Sequence, residues 1–356
     1  MLVFRKWHLS AAAIGFVVLS KLTGITYAQD LTRMGDPNKP VNDLPNPYRT
    51  ERNMWGILDA PMNQEPAIAS VVPAPNGTFY LVERCFENNC YGRKEPPILK
   101  LDKVGHLLKS WGVGMFVFPH GATVDSESNL YVTDGLGEGG IGQQVLKFSP
   151  EGKLLLTLGK AGVAGDGPDT FDRPSGVAIA PNGDIFVADG HNDATNSRIV
   201  VFSKDGKFIR TFGQKGAGPG DLHEPHSICF DSQGRLFVAD RLNNRIEIFS
   251  QEGKFIAEWY QFGRPSGVFI TKDDTLYVAD SESGPELTSR HEIPGWKKGI
   301  RIGSARTGQV TAFIEDLEST TPLHSGPEDV SVDADGIVYG AMVRRRMLER
   351  FIKIIQ

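Results

Sequence analysis

One 17-residue phrase recurs six times along this chain, and no other feature restricts its fold as much. PHGATVDSESNLYVTDG (119–135) returns as PSGVAIAPNGDIFVADG (174–190), PHSICFDSQGRLFVADR (225–241) and PSGVFITKDDTLYVADS (265–281). IASVVPAPNGTFYLVER (68–84) and PEDVSVDADGIVYGAMV (327–343) complete the set, the former without its leading proline. The frame is a proline, one variable residue, a strand, a turn and a second strand. Between copies lie QVLKFSPEGKLLLTLG, RIVVFSKDGKFIRTFG and RIEIFSQEGKFIAEW. Each is two apolar-alternating runs around an Asp-Gly or Glu-Gly turn, which is how a hairpin is written in sequence. Two hairpins repeated every 40 to 62 residues make a four-stranded unit, and six units predict an all-β six-bladed β-propeller over residues 66–356. The 40 glycines and 22 prolines suit a fold rich in turns, and no sustained 3.6-residue apolar period supports a helical solenoid.

The stretch before the first repeat divides in two. In residues 1–28, Arg5 and Lys6 precede an apolar run, Ala11–Ser20, and Thr26-Tyr27-Ala28 offers small residues for cleavage. That is a secretory signal, and its apolar run is short for a membrane span. Residues 29–65, rich in Pro and Asn, read as an extended N-terminal arm. The whole chain has 43 acidic against 38 basic residues, and loss of a leader that has no acid makes it more negative still. Such a chain excludes nucleic acid and anionic lipid as partners. Secretion or periplasmic export also sets the cysteine reading: Cys85 and Cys90 flank a turn-prone segment and are expected to pair, whereas Cys229, in an apolar run, is expected as a buried thiol.

Propeller geometry gives the variable position of the frame its meaning. The innermost strand of each blade lines the central channel, so Ala69, His120, Ser175, His226, Ser266 and Glu328 occupy equivalent places near the axis. Two imidazoles and a carboxylate on alternate blades form a three-ligand set with open positions, as in catalytic zinc sites and in the two-His-one-carboxylate iron triad. At the far end of the frame, Asp134, Asp189, Asp240 and Asp280 read as turn carboxylates that accept backbone N–H groups. Arg84 and Arg241 break the small-residue pattern after that position and suit bidentate capture of a substrate carboxylate.

The repeats resemble NHL-type propellers and, more closely, the peptidyl-α-hydroxyglycine α-amidating lyase domain of peptide-amidating enzymes. The similarity runs over most of residues 68–343. It is carried by FPHGATVDSESNLYVTD, DGHNDATNSRIVVFSKDGKFIRTFG and EPHSICFDSQGRLFVADRLNNRIEIF, since generic NHL blades lack His after Pro. The resemblance implies that His120 and His226 bind catalytic zinc and that Arg84 and Arg241 hold substrate. The family's third ligand is a His followed by Asp, where this chain has Glu328-Asp329; His324 is the alternative source of an imidazole. Asp329 matches a structural calcium ligand of the family. His191 stands where the family has its catalytic tyrosine.

The function expected on these grounds is zinc-dependent C–N cleavage of a hydroxyglycine-like hemiaminal, giving an amide and glyoxylate. The substrate is a small molecule or peptide bearing a carboxylate, the catalyst a monomer, and His191 or a bound water moves the proton. A metal-dependent lactonase and a non-catalytic NHL propeller that binds peptide or glycan are the other readings.

Overall fold

The structure, a computed structural model, describes residues 32–52, 67–85, 88–284, 295–318 and 325–354. The expected signal segment and His324 lie outside these residues. Within them there is no α-helix, and no helix long and apolar enough to cross a membrane. Strands β1 (Arg33–Met34) and β2 (Tyr48–Arg52) precede the repeats. Blade one is β3 (Ile68–Pro73), β4 (Phe79–Glu83), β5 (Ile98–Leu101) and β6 (Leu107–Trp111). Blade two is β7 (Pro119–Val124), β8 (Leu130–Glu138), β9 (Ile141–Phe148) and β10 (Leu154–Leu158). Blade three is β11 (Pro174–Ile179), β12 (Ile185–Asp189), β13 (Arg198–Phe202) and β14 (Phe208–Phe212). Blade four is β15 (Pro225–Phe230), β16 (Leu236–Asp240), β17 (Arg245–Phe249) and β18 (Phe255–Trp259). Blade five is β19 (Gly267–Ile270), β20 (Thr275–Asp280), β21 (Gly299–Ser304) and β22 (Val310–Glu315). Blade six takes three strands from the C-terminal end, β23 (Asp329–Val332), β24 (Val338–Met342) and β25 (Met347–Lys353).

The fourth strand of blade six comes from the other end of the sequence. β2 pairs antiparallel with β25, with Thr50 opposite Phe351, and so closes the ring. β1 adds a parallel fifth strand to β18. The N-terminal arm is therefore partly built into two sheets. The core lies between blades, where the second strands, such as IFVAD and LFVAD, are buried along their whole length. Cys85 and Cys90 form a disulfide with their Cα atoms 5.2 Å apart.

Repeated corners tie each blade to the chain that enters it. Asp134 accepts the amides of Val117 and Phe118, Asp189 that of Asp172, Asp240 that of His223, and Asp280 that of Arg264. These are the structural roles expected of them. An arginine clamps three of the four: Arg198 on Asp189, Arg245 on Asp240 and Arg301 on Asp280.

Candidate metal centre

The residue after the frame's proline sits at a bulge. Between Pro119↔Asp134 and Ala122↔Val132, two residues of β7 face one of β8, and the same shift occurs between Pro225 and Ile228. A bulge adds one residue to a strand and re-aims its side chain. Here it turns His120 and His226 out of the blade toward the channel axis. Close packing of the inner strands fixes the next position. A Cβ on Gly121 would lie 2.3 Å from the Ser175 carbonyl oxygen, so only glycine fits beside His120.

That same carbonyl orients the histidine. His120 donates from Nδ1 to Ser175 O at 2.8 Å, and His226 donates from Nδ1 to Ser266 O at 2.8 Å. The serines hold the frame position in the following blade, so the His–Ser alternation is a donor–acceptor pairing across blades. With Nδ1 occupied, Nε2 of each ring faces inward, toward Glu328. Glu328 Oε1 lies 3.7 Å from His120 Nε2 and 3.4 Å from His226 Nε2, while Ser281 Oγ donates to Oε2 at 3.1 Å. Ser281 in turn shares a hydrogen bond with Ser266 Oγ.

His191 joins them from the loop after β12. Its Nε2 is 3.2 Å from His226 Nε2, and its ring centroid is 4.4 Å from that of His120. One donor atom from each of His120, His191, His226 and Glu328 lies within 4.8 Å of the others. Burial, and then the cationic neighbours, hold the His120 imidazole well below its usual range. Burial does the same to His191, so both rings are neutral. Burial opposes ionisation of Glu328, but His226, Arg84 and Arg241 hold its carboxyl well below the usual carboxylate range.

The donor set fits a divalent cation. His120 Nε2 is buried and has no hydrogen-bond partner among the described residues, which costs free energy unless something fills it. Two donors each about 2.1 Å from one ion cannot be more than about 4.2 Å apart; the separations of 3.2, 3.4 and 3.7 Å meet that limit, and the four donors, which span up to 4.8 Å, would have to draw in by a few tenths of an ångström to share one ion.

The two arginines flank the cluster, but in company. Arg84 pairs with Glu328 at 3.2 Å, lies over the Phe118 ring at 4.3 Å and reaches Asn88, which the disulfide-closed turn presents. Arg241 is bound to Glu224 and lies 3.8 Å from Glu282, which Arg264 also holds. Glu224, Glu282, Arg264 and Phe118 were not among the expected site residues. Three of them do carry a signal, since Phe118, Glu224 and Arg264 each stand just before the frame's proline. Arg84 Nε and Arg241 Nε are buried without partners.

Asp329 is not one of the four converging donors; it accepts from the Ser70 hydroxyl and lines the same channel as His120 and Glu328. One expectation requires revision. Cys229 is half-buried, in the wall of a channel of about 230 Å³ lined by the inner strands, because its strand faces the axis on alternate residues.

Comparison with known proteins places these observations in a wider group. A family described as a 6-bladed beta-propeller matches residues 171–259. NHL repeat-containing protein 3 of Homo sapiens is 33% identical over 205 residues, covering 54% of this chain and 56% of that protein. Peptidyl-alpha-hydroxyglycine alpha-amidating lyase 2 of Drosophila melanogaster is 32% identical over 217 residues, 57% of this chain and 51% of that one. The chain spans about half the length of the curated relatives it matches. A gluconolactonase structure from Xanthomonas campestris superposes with a TM-score of 0.57 at 14% identity, over 90% of this chain and 96% of that one, a likeness of fold.

Proposed function

We propose that this protein is an exported, metal-dependent lyase that cleaves the C–N bond of a hydroxyglycine-like hemiaminal bearing a carboxylate. One observation carries the reading. A buried imidazole nitrogen, His120 Nε2, has no hydrogen-bond partner among the described residues although its ring is fixed in the ligand tautomer, and other donors converge beside it. His120, His226 and Glu328 would hold the ion, which when bound supplies Lewis-acid polarisation of the hemiaminal hydroxyl oxygen. Arg84 and Arg241 each retain a buried unpartnered Nε–H, and a substrate carboxylate is the acceptor such donors lack. In the reaction the hydroxyl loses its proton and its carbon becomes the aldehyde carbon of glyoxylate. The C–N pair passes to nitrogen, which takes a proton and leaves as the amide. The Cys85–Cys90 disulfide supports export.

Glu328 favours a second reading, since a carboxylate ligand in an axial propeller site also suits lactone hydrolysis. The two readings differ in product. Protein purified without chelators is expected to carry about one divalent ion per chain by elemental analysis and to release glyoxylate from α-hydroxyhippurate. Ring opening of lactones without glyoxylate release selects the hydrolase; a metal-free protein inert on both substrates removes both enzymes and leaves a binding propeller.

A further inference from the structure

We propose that His191 is a fourth ligand of the metal rather than the base of the reaction, so that three imidazoles and a carboxylate hold the ion. The inference rests on the metal reading above and sharpens it. Blade three offers Ser175 at the frame position, and the loop after its second strand brings an imidazole in its place. That loop is self-locked: the amides of His191 and Asn192 both donate to Thr195 Oγ1, and Thr195 Oγ1 donates to Asn192 O. His191 is thus presented by a preformed turn.

Two imidazole nitrogens 3.2 Å apart share either a proton or a cation. His226 donates from Nδ1 to Ser266 O, and a single proton on either facing Nε2 could bridge the pair. That arrangement satisfies two nitrogens and leaves His120 Nε2 orphaned beside them. A cation among the four donors gives His120 Nε2 the partner that a proton between the other two rings does not, and this favours the ion. The consequence concerns the ion. Four protein donors fill a tetrahedron, and zinc held that way has no position left for substrate. An ion that accepts five or six ligands keeps one or two open, and a nitrogen-rich set with one carboxylate suits Fe²⁺, Mn²⁺ or Co²⁺.

Cobalt(II) added to the chelator-stripped full chain reads this without turnover. Its visible absorption is strong when four-coordinate and weaker at higher coordination, and its band energies shift when nitrogen is exchanged for oxygen. Wild type is expected to show the weaker bands. His191→Ala and His191→Asn should shift the bands and loosen cobalt by at least about tenfold. Free imidazole should restore the wild-type spectrum to His191→Ala, a rescue that misfolded protein cannot give. Wild-type spectrum and affinity in both variants would overturn the ligand assignment while leaving the metal reading intact. Strong four-coordinate bands in wild type would overturn the higher coordination. A wild-type chain that takes up no cobalt would bring down the metal reading itself.

Discussion

His120 and Ser175 illustrate how much one residue's role depends on another blade. His120 could be singled out by its frame position, because a propeller maps each repeat onto the same distance from the axis. Its orienting partner is a main-chain oxygen, which any residue at 175 supplies, so no side-chain pattern announces it. The Ser266–Ser281–Glu328 chain runs through side chains instead, its first link within blade five and its second crossing to blade six, so it shows only once the two blades are set side by side. His191 was legible as a site residue, but its meeting with His226 depends on a loop conformation that the frame does not specify. At this scale, His120→Ala should lower metal affinity by at least about a hundredfold, because a catalytic set rarely survives with fewer than three strong ligands. Glu328→Gln keeps an oxygen donor and should weaken the metal less than His120→Ala does. Both variants should keep the far-ultraviolet dichroism of wild type; a reversal of their order in metal titrations would count against Glu328 as the weaker ligand.

At the scale of the blade, the corner aspartates carry a pH signature. Asp189 and Asp240 face Arg198 and Arg245 across the ladder, whereas Asp134 faces Gln144. Asp134 is fully buried, and burial, opposed by its backbone hydrogen bonds, raises its carboxyl to about 7. An unfolded aspartate titrates near about 3.9. Between those values the folded chain keeps a proton that the unfolded chain has lost, so stability falls as pH rises from about 4 to about 7. Asp134→Asn resembles the protonated form. It should match wild type near about pH 3.5 and be more stable near pH 7, by on the order of 1–4 kcal/mol. Urea unfolding at the two pH values measures the difference, and equal slopes in both proteins would refute it.

At the scale of the molecule, six copies of one frame sufficed to read the architecture, and the shortage of chain after the last copy predicts that the N-terminal side helps to close blade six, as β2 does; the arm strands themselves could not be placed, because they have little to show. β2 is an edge strand with the burial pattern of one inward residue, Tyr48, followed by exposed or half-exposed ones, so YRTER lacks the apolar alternation of a central strand. β1 is two residues long. Yet Tyr48 packs into the core shared by blades five and six, beside Tyr277, Val330 and Phe351. Tyr48→Ala should therefore cost about 3 kcal/mol, as large-to-small core changes do, in chemical unfolding. A loss below about 1 kcal/mol would show that β2 does not bear on closure.

The origin of β2 also sets a timetable. Its partner β25 begins at Met347, nearly the full length of the chain later, and synthesis at about 5–20 residues per second leaves β2 waiting for some tens of seconds. During that interval it is an unpaired edge beside blades that are already complete. His120, His191 and His226 belong to blades two to four, whereas Glu328 arrives just ahead of β23, at the start of the last sheet. The imidazoles are therefore made first and the carboxylate last, so one late event both shuts the ring and completes the charge of the metal centre. Under the proposed metal reading, an ion that arrived before then would meet nitrogen donors alone, a softer site than that of the finished protein.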